Sequence, residues 1–119
     1  MRWVKAALPG AVLFMTALGT TALGTAGVSA QEALQIPVTI ENNRFVPSEV
    51  KVKAGKPFVL VVTNKDAKSE EFESKDLRIE KVIPAGKTAN IRVRALKPGT
   101  YPFFGEFNPK TAQGQIVAE

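Results

Sequence analysis

The sequence predicts an all-β fold, a Greek-key β-sandwich of about seven short strands. Three observations support this prediction. From residue 35 onward, apolar and polar residues alternate in short runs, as they do in half-buried strands. Glycine, proline and asparagine separate these runs at short intervals, which is typical of the turns of a sandwich. After residue 30 no apolar period of about 3.6 residues is sustained, so helices are expected to be short or absent.

Three strands are predicted in the front half of this domain. Residues 36–40 alternate apolar and polar side chains and end before a pair of asparagines, and residues 50–53 alternate valine with lysine before a glycine. Residues 58–62 form an unbroken apolar run, which is typical of a strand covered on both faces. Phe58 is therefore a candidate for the core.

The back half contributes the other four strands. Residues 67–78 are polar and acidic, with only two large apolar side chains. The four strands are predicted over residues 82–83, 91–93, 101–104 and 115–118. Alternation along these runs makes Leu96, Tyr101 and Phe103 further core candidates.

Residues 1–30 are predicted to be a signal peptide, which leaves a domain over residues 31–119. Arg2 and Lys5 form a basic start, and no charged residue follows until after Ala30, which ends a run of small residues. An uncleaved anchor is the alternative, because an uncharged stretch of this length could cross a bilayer. Interrupting glycine, proline and threonine weaken that alternative. The prediction is a periplasmic protein with no membrane span after cleavage.

Composition excludes several classes of function. Residues 31–119 carry fourteen Lys and Arg against eleven Asp and Glu, a formal charge of +3. These charges are mixed along the chain, without the clustered basic face that nucleic-acid binding requires. The chain contains no histidine and no cysteine, so no serine or threonine hydroxyl has an imidazole to activate it. The protein is therefore predicted not to be an enzyme.

Residues 99–117 carry the most informative pattern in the chain. They read GTYPFFGEFNPKTAQGQIV, in which Gly99, Tyr101 and Phe103 precede a loop that ends at Gly114. This segment resembles the last two strands of the cupredoxins, which follow G-x-Y-x-F-x-C-x-x-H-x-x-M and continue with a glycine and an apolar strand. The front half, including the run of residues 58–62 followed by Asn64, is similar to that family as well.

The same resemblance implies that all four copper ligands are replaced. Gly105 stands at the cysteine position, Asn108 and Glu70 stand at the two histidine positions, and Thr111 stands at the methionine position. A type 1 copper centre needs a thiolate. The prediction is therefore a cupredoxin-like sandwich without type 1 copper.

Three further strings point to a subgroup of that family. Residues 70–74 (EEFES), 80–86 (EKVIPAG) and 96–101 (LKPGTY) are similar to the cupredoxin-like domain of Efe-type bacterial iron-uptake systems. Similar stand-alone periplasmic proteins accompany iron permeases. The resemblance implies a membrane iron permease, or another periplasmic metal-handling protein, as the partner. That subgroup usually keeps a histidine where this chain has Asn108.

Oxygen ligands remain available at the vacated end of the sandwich. The candidate metal site consists of Glu70, Glu71, Glu73, Glu106 and Asn108. Carboxylate and amide oxygens suit a hard metal ion such as iron, or copper bound in another way than type 1. The alternative is a solvated acidic loop, because basic residues flank the cluster and exposed ion pairs contribute only about 0–1 kcal/mol each.

The predicted function is that of a periplasmic cupredoxin-like accessory protein, linked to the uptake or handling of iron or another metal ion. It either binds a hard cation weakly or docks a partner, and it is not a blue-copper electron carrier. The alternative is a ligand-free Ig-like sandwich that serves as an interaction module. Phe104 and Phe107 flank the vacated loop, where they form a docking patch if exposed and fill the core if buried. Phe107 in particular could fill the old copper position.

Overall fold

Two β-sheets stack face to face in the computed structural model, which describes residues 33–119. The predicted signal peptide, residues 1–30, lies outside the described residues. The nine strands are β1 (Leu34–Glu41), β2 (Arg44–Val46), β3 (Glu49–Val52), β4 (Phe58–Asn64), β5 (Glu70–Ser74), β6 (Ile79–Ile83), β7 (Thr88–Val93), β8 (Gly99–Gly105) and β9 (Gln113–Ala118). Across these residues no helix has the length and apolar character needed to span a membrane.

The smaller sheet has the strand order β2-β1-β4-β7 and the larger has the order β3-β9-β8-β5-β6. The pairs β1–β4 and β3–β9 are parallel, and the other pairs are antiparallel. The predicted all-β sandwich is confirmed. The structure adds β2 and β5 to the seven predicted strands.

Strand β5 escaped prediction because its inward face is mostly polar. Its side chains alternate between buried and half-buried, as in any strand with one covered face. The three buried positions are Glu70, Phe72 and Ser74, of which only Phe72 is apolar. Burial therefore alternates along β5, but hydrophobicity does not, and the sequence shows only hydrophobicity. This strand carries most of the candidate site.

Three phenylalanine rings form the centre of the core next to that site. Phe72 and Phe103 stack with their ring centroids 4.8 Å apart. Phe45 meets both rings edge-on, at centroid distances of 5.7 Å from Phe72 and 5.0 Å from Phe103. The predicted core residues Phe58, Leu96 and Phe103 are buried, and Tyr101 packs against the core from its edge.

Asn64 ties the end of β4 to the segment that enters the site. Its side chain is completely buried. The Nδ2 amide donates to the carbonyls of Lys68, at 2.8 Å, and Ile83, at 2.9 Å. Its Oδ1 accepts a hydrogen bond from the backbone N–H of Asp66 at 2.9 Å. One amide thus holds the turn between β4 and β5 against the end of β6.

Replacing Asn64 with alanine should lower the free energy of unfolding by about 1–3 kcal/mol. The reason is that the substitution removes these donors from the buried carbonyl of Ile83 and the partly buried carbonyl of Lys68, at the cost usual for an unsatisfied polar group. Urea denaturation of the purified protein would measure the effect. Asn90→Ala, at an exposed position of β7, is the matched control and should change stability by less than about 0.5 kcal/mol. Equal stability of the two variants would contradict this role for Asn64.

Candidate functional site

The start of β5 meets the end of β8 and its following loop at one end of the sandwich. The backbone N–H of Glu106 donates to the carbonyl of Glu71 at 2.9 Å, which joins the two segments. This contact brings together Glu70, Gly105 and Asn108, three of the four positions that the resemblance assigns to copper ligands. Thr111, the fourth, is exposed, and Ala112 is the fully buried residue of that turn.

Glu70 occupies the inside of this end. Its side chain is 2% exposed and points inward from β5. Oε1 accepts hydrogen bonds from the backbone N–H groups of Glu71 and Phe107, both at 2.9 Å. Oε2 accepts one from Nδ2 of Asn108, also at 2.9 Å. The carboxylate is thus satisfied by three protein donors, which is what a buried charged group requires.

Gly105 gives this carboxylate its space. A Cβ atom built on residue 105 would lie 2.5 Å from Glu70 Oε2 and 2.7 Å from the Cβ of Ala112. Both distances are far below a van der Waals contact. The backbone of Gly105 does not have a positive φ, so the glycine is needed for room and not for conformation. A cysteine at residue 105 could not coexist with Glu70 in this arrangement.

The loop from Gly105 to Ala112 is closed by its own backbone. The N–H of Gly105 donates to the carbonyl of Ala112 at 2.8 Å, and the N–H of Ala112 donates to the carbonyl of Asn108 at 2.8 Å. The N–H of Asn108 in turn donates to the carbonyl of Gly105 at 3.1 Å. The loop therefore presents Phe107 and Asn108 in defined positions.

The other predicted ligands lie on the opposite face of the same sheet. Glu71 and Glu73 are half-buried on the outer side of β5, and Glu106 is exposed in the loop. The predicted five-residue site is thus divided, since Glu70 and Asn108 bond to each other inside. Within residues 33–119, no group of three or more His, Cys, Asp or Glu side chains is arranged to hold a metal ion. A cation site at this end stays a prediction.

Glu80, which was not among the predicted ligands, adds a fourth carboxylate to the outer face. It lies directly opposite Glu73 in the β5–β6 register. Like charges at opposed positions of a sheet destabilise the pair. Burial against the sheet, followed by the charges of Glu80 and Glu106, raises the pKa of both Glu71 and Glu73 above the usual carboxyl value. Only the pairing of β5 with β6 reveals Glu80, because the pairing register decides which residue of β6 lies opposite Glu73.

Replacing Glu73 with glutamine should therefore raise stability at neutral pH. A carboxyl whose pKa is raised by folding binds protons more readily in the native state, so stability falls as pH rises through that raised pKa. The gain from Glu73→Gln should be present at pH 7 and vanish below pH about 4, where the wild-type group is protonated in both states. Denaturation at several pH values would measure it. Glu41→Gln on the other sheet is the control, and a loss of stability at pH 7 in Glu73→Gln would contradict the prediction.

Two aromatic residues border the loop with different exposure. Phe107 is 51% exposed, and Phe104 is half-buried beside Glu73 on the outer face of β8. Phe107 is therefore not buried at this end of the sandwich, whose interior holds the side chain of Glu70. Its backbone N–H donates a hydrogen bond to Glu70, so the backbone that carries the exposed ring is held in place. An exposed aromatic residue beside a polar rim is a feature of docking surfaces.

Solved structures of copper proteins share this fold. The metal-binding domain of the Cu(I)-exporting P-type ATPase CopA of Streptococcus pneumoniae D39 superposes with a TM-score of 0.66 at 16% identity, covering 76% of this chain and 91% of that one. Auracyanin A, a "blue" copper protein of Chloroflexus aurantiacus, gives a TM-score of 0.64 at 14% identity, covering 74% of this chain and all of that one. Amicyanin of Paracoccus versutus gives 0.57 at 17% identity, covering 76% and 85%. At these identities the likeness extends to the fold alone.

Sequence comparison gives a closer relation. The chain is 42% identical over 84 residues to the uncharacterized protein RP394 of Rickettsia prowazekii (strain Madrid E), which covers 71% of this chain and 67% of that protein. Residues 10–118 match the family described as the cupredoxin-like domain. The sandwich, the Tyr-x-Phe strand and the match over nearly the whole chain agree, and the chain belongs to the cupredoxin-like domain family.

Proposed function

We propose that this protein is a periplasmic cupredoxin-like accessory protein that docks a partner in the uptake or handling of iron or another metal ion. It has no catalytic role in this proposal, and it does not carry electrons through a type 1 copper centre. The observation that carries the proposal is the buried Glu70 carboxylate, which lies at the end of the sandwich where the resemblance would place copper and accepts hydrogen bonds from three protein donors. In this proposal that end of the domain offers a surface for docking and holds no redox-active metal.

The link to metal uptake rests on relatives. The strings at residues 70–74, 80–86 and 96–101 resemble the Efe-type iron-uptake subgroup. A solved structure of the same fold is the metal-binding domain of a Cu(I)-exporting P-type ATPase, so in that protein the fold is part of a metal exporter. A membrane iron permease, or another periplasmic metal-handling protein, is the proposed partner.

The docking surface in this proposal is the loop end around Phe107. Site-specific photo-crosslinking in the native cell envelope would test it, with the crosslinker placed at residue 107. The control position is Leu34, which is 63% exposed and belongs to the end of β1 remote from Asn64. A crosslinked membrane transporter or metal-handling protein at residue 107, but not at residue 34, is the expected result. Equal or absent crosslinking at both positions would overturn the docking role.

A weakly bound hard cation is the second candidate function for this end. Burial, followed by repulsion from Glu80 and Glu106, raises the pKa of Glu71 and Glu73, and this observation favours a cation because a bound positive charge would relieve the repulsion. Calorimetric titration with ferric citrate, Mn(II) and Cu(II) tests the proposal on wild type, Glu71→Gln and Glu106→Gln. Binding that weakens in both variants, and weakens again toward pH about 4, would support it. Identical heats in all three proteins would reject it and leave docking alone.

A further inference from the structure

Glu70 connects two parts of the chain that are far apart in sequence. Among the residues that the structure describes, it is the only charged side chain that is buried. Two of its three donors, the N–H of Phe107 and Nδ2 of Asn108, belong to residues 37 and 38 positions later. Hydrogen bonds to a charged group are stronger than those between neutral groups. The carboxylate is therefore positioned to hold the loop after β8 against the start of β5.

The contact depends on a missing side chain. Gly105 lies against this carboxylate, and a Cβ at that position would approach Glu70 Oε2 to 2.5 Å and Cδ to 2.6 Å. The clash involves the end of a flexible side chain, but Glu70 could move aside only by giving up hydrogen bonds to its three donors. The three hydrogen bonds of Glu70 thus depend on the absence of a side chain at residue 105.

We infer that Glu70 is a built-in cross-link between β5 and the loop of residues 106–112, and that this cross-link can exist only because residue 105 has no side chain. Glu70 is in this sense a positioning residue, since it sets the place of Phe107 through that residue's backbone. The inference concerns the shape of the loop and holds whether or not the loop docks a partner. At the place where the family's ligands would meet, the two segments are joined by hydrogen bonds to Glu70 and need no metal for it.

A double-mutant cycle tests the dependence. Gly105→Ala should lower the denaturation midpoint strongly in the wild-type protein and by a smaller amount in Glu70→Ala, because the clash with the carboxylate is then gone. The contact with Ala112 remains in both backgrounds, so part of the loss persists. The matched control is Gly114→Ala, whose Cβ would lie 2.5 Å from the Phe103 ring and 2.6 Å from the Ser48 carbonyl. Its effect should be the same with and without Glu70.

Amide hydrogen exchange distinguishes two roles of the Glu70 side chain, which are accepting a hydrogen bond from the Phe107 N–H and merely filling space. In Glu70→Ala the exchange rate of the Phe107 N–H should rise about tenfold or more, as expected for losing a hydrogen bond to a charged group. Glu70→Met, which fills the space but accepts no such bond, should show the same increase. Glu70→Gln retains Oε1 as an acceptor, so it should restore most of the protection.

Two results would overturn the inference. One is an equal loss from Gly105→Ala in the wild-type and Glu70→Ala backgrounds. The other is full protection of the Phe107 N–H in Glu70→Met. If Gly105→Ala folds only together with Glu70→Ala, the dependence is supported, and if it folds in neither background, the exchange measurement decides. Because neither readout involves a partner or a metal, failure of the inference is distinguishable from failure of the proposed function.

Discussion

Replacing Phe72 with alanine should lower the free energy of unfolding by about 3–5 kcal/mol, the usual cost of truncating a buried phenylalanine. The ring is completely buried, stacks on Phe103 and contacts Phe45 edge-on. Its loss therefore opens a cavity between strands β2, β5 and β8, which carry the three rings. Phe72 also lies between Glu71 and Glu73, so the variant should loosen the site as well. Urea denaturation followed by circular dichroism would measure the loss.

Phe107→Ala is the matched control for this prediction. The chemical change is identical, but the ring of Phe107 is about half exposed and lies outside the core. Its truncation should change stability by about 0.5 kcal/mol or less, as for most surface substitutions. A similar loss in the two variants would mean that the aromatic cluster does not dominate the core.

The double substitution Glu70→His with Asn108→His should create a metal site. The two wild-type side chains meet at 2.9 Å, so two imidazoles on the same backbone positions should converge on one point. Imidazole nitrogen suits Cu(II), Ni(II) and Zn(II). We expect one equivalent of Cu(II) to bind with nitrogen coupling in its electron paramagnetic resonance spectrum. No intense thiolate-to-copper band should appear, because the chain has no cysteine.

The single variants Glu70→His and Asn108→His are the controls. One imidazole alone should bind Cu(II) at least about tenfold more weakly than the pair, a difference of about 1.4 kcal/mol. Equal affinity in the single and double variants would show that residues 70 and 108 do not form a ligand pair. That result would contradict the correspondence between these positions and the ligands of the family.

The sequence was sufficient to predict the fold because most of its strands have a characteristic pattern among neighbouring residues. Alternation around Val38 and Val50, the apolar run after Phe58 and the turn before Tyr101 each depend on neighbouring residues only. Seven strands followed from such local patterns, whereas the family was implied by the resemblance of residues 99–117. The two strands that were not predicted lack these patterns, since β2 has three residues and β5 turns Glu70 and Ser74 inward.

The sequence also indicated which residues lie at the candidate site, but not which of them contact one another. The resemblance to the cupredoxin pattern singled out residues 70, 105 and 108, and the structure brings these three residues together. Glu70, Glu71 and Glu106 were expected to act together, yet strand alternation turns Glu70 inward and Glu71 outward. Glu80 joined the outer carboxylates only through the β5–β6 register.

The sequence by itself determined that this protein is a cysteine-free, histidine-free β-sandwich, and the resemblance of its last two strands implied the cupredoxin-like family to which it belongs. The tertiary structure alone decided how Glu70, Gly105 and Asn108 fit together. Glu70 finds its donors 37 and 38 residues away and its space at Gly105, and no local rule links such distant positions. The physical reason is that periodicity records which side of a strand is covered, whereas hydrogen bonds and close contacts across the sandwich depend on how the strands are brought together.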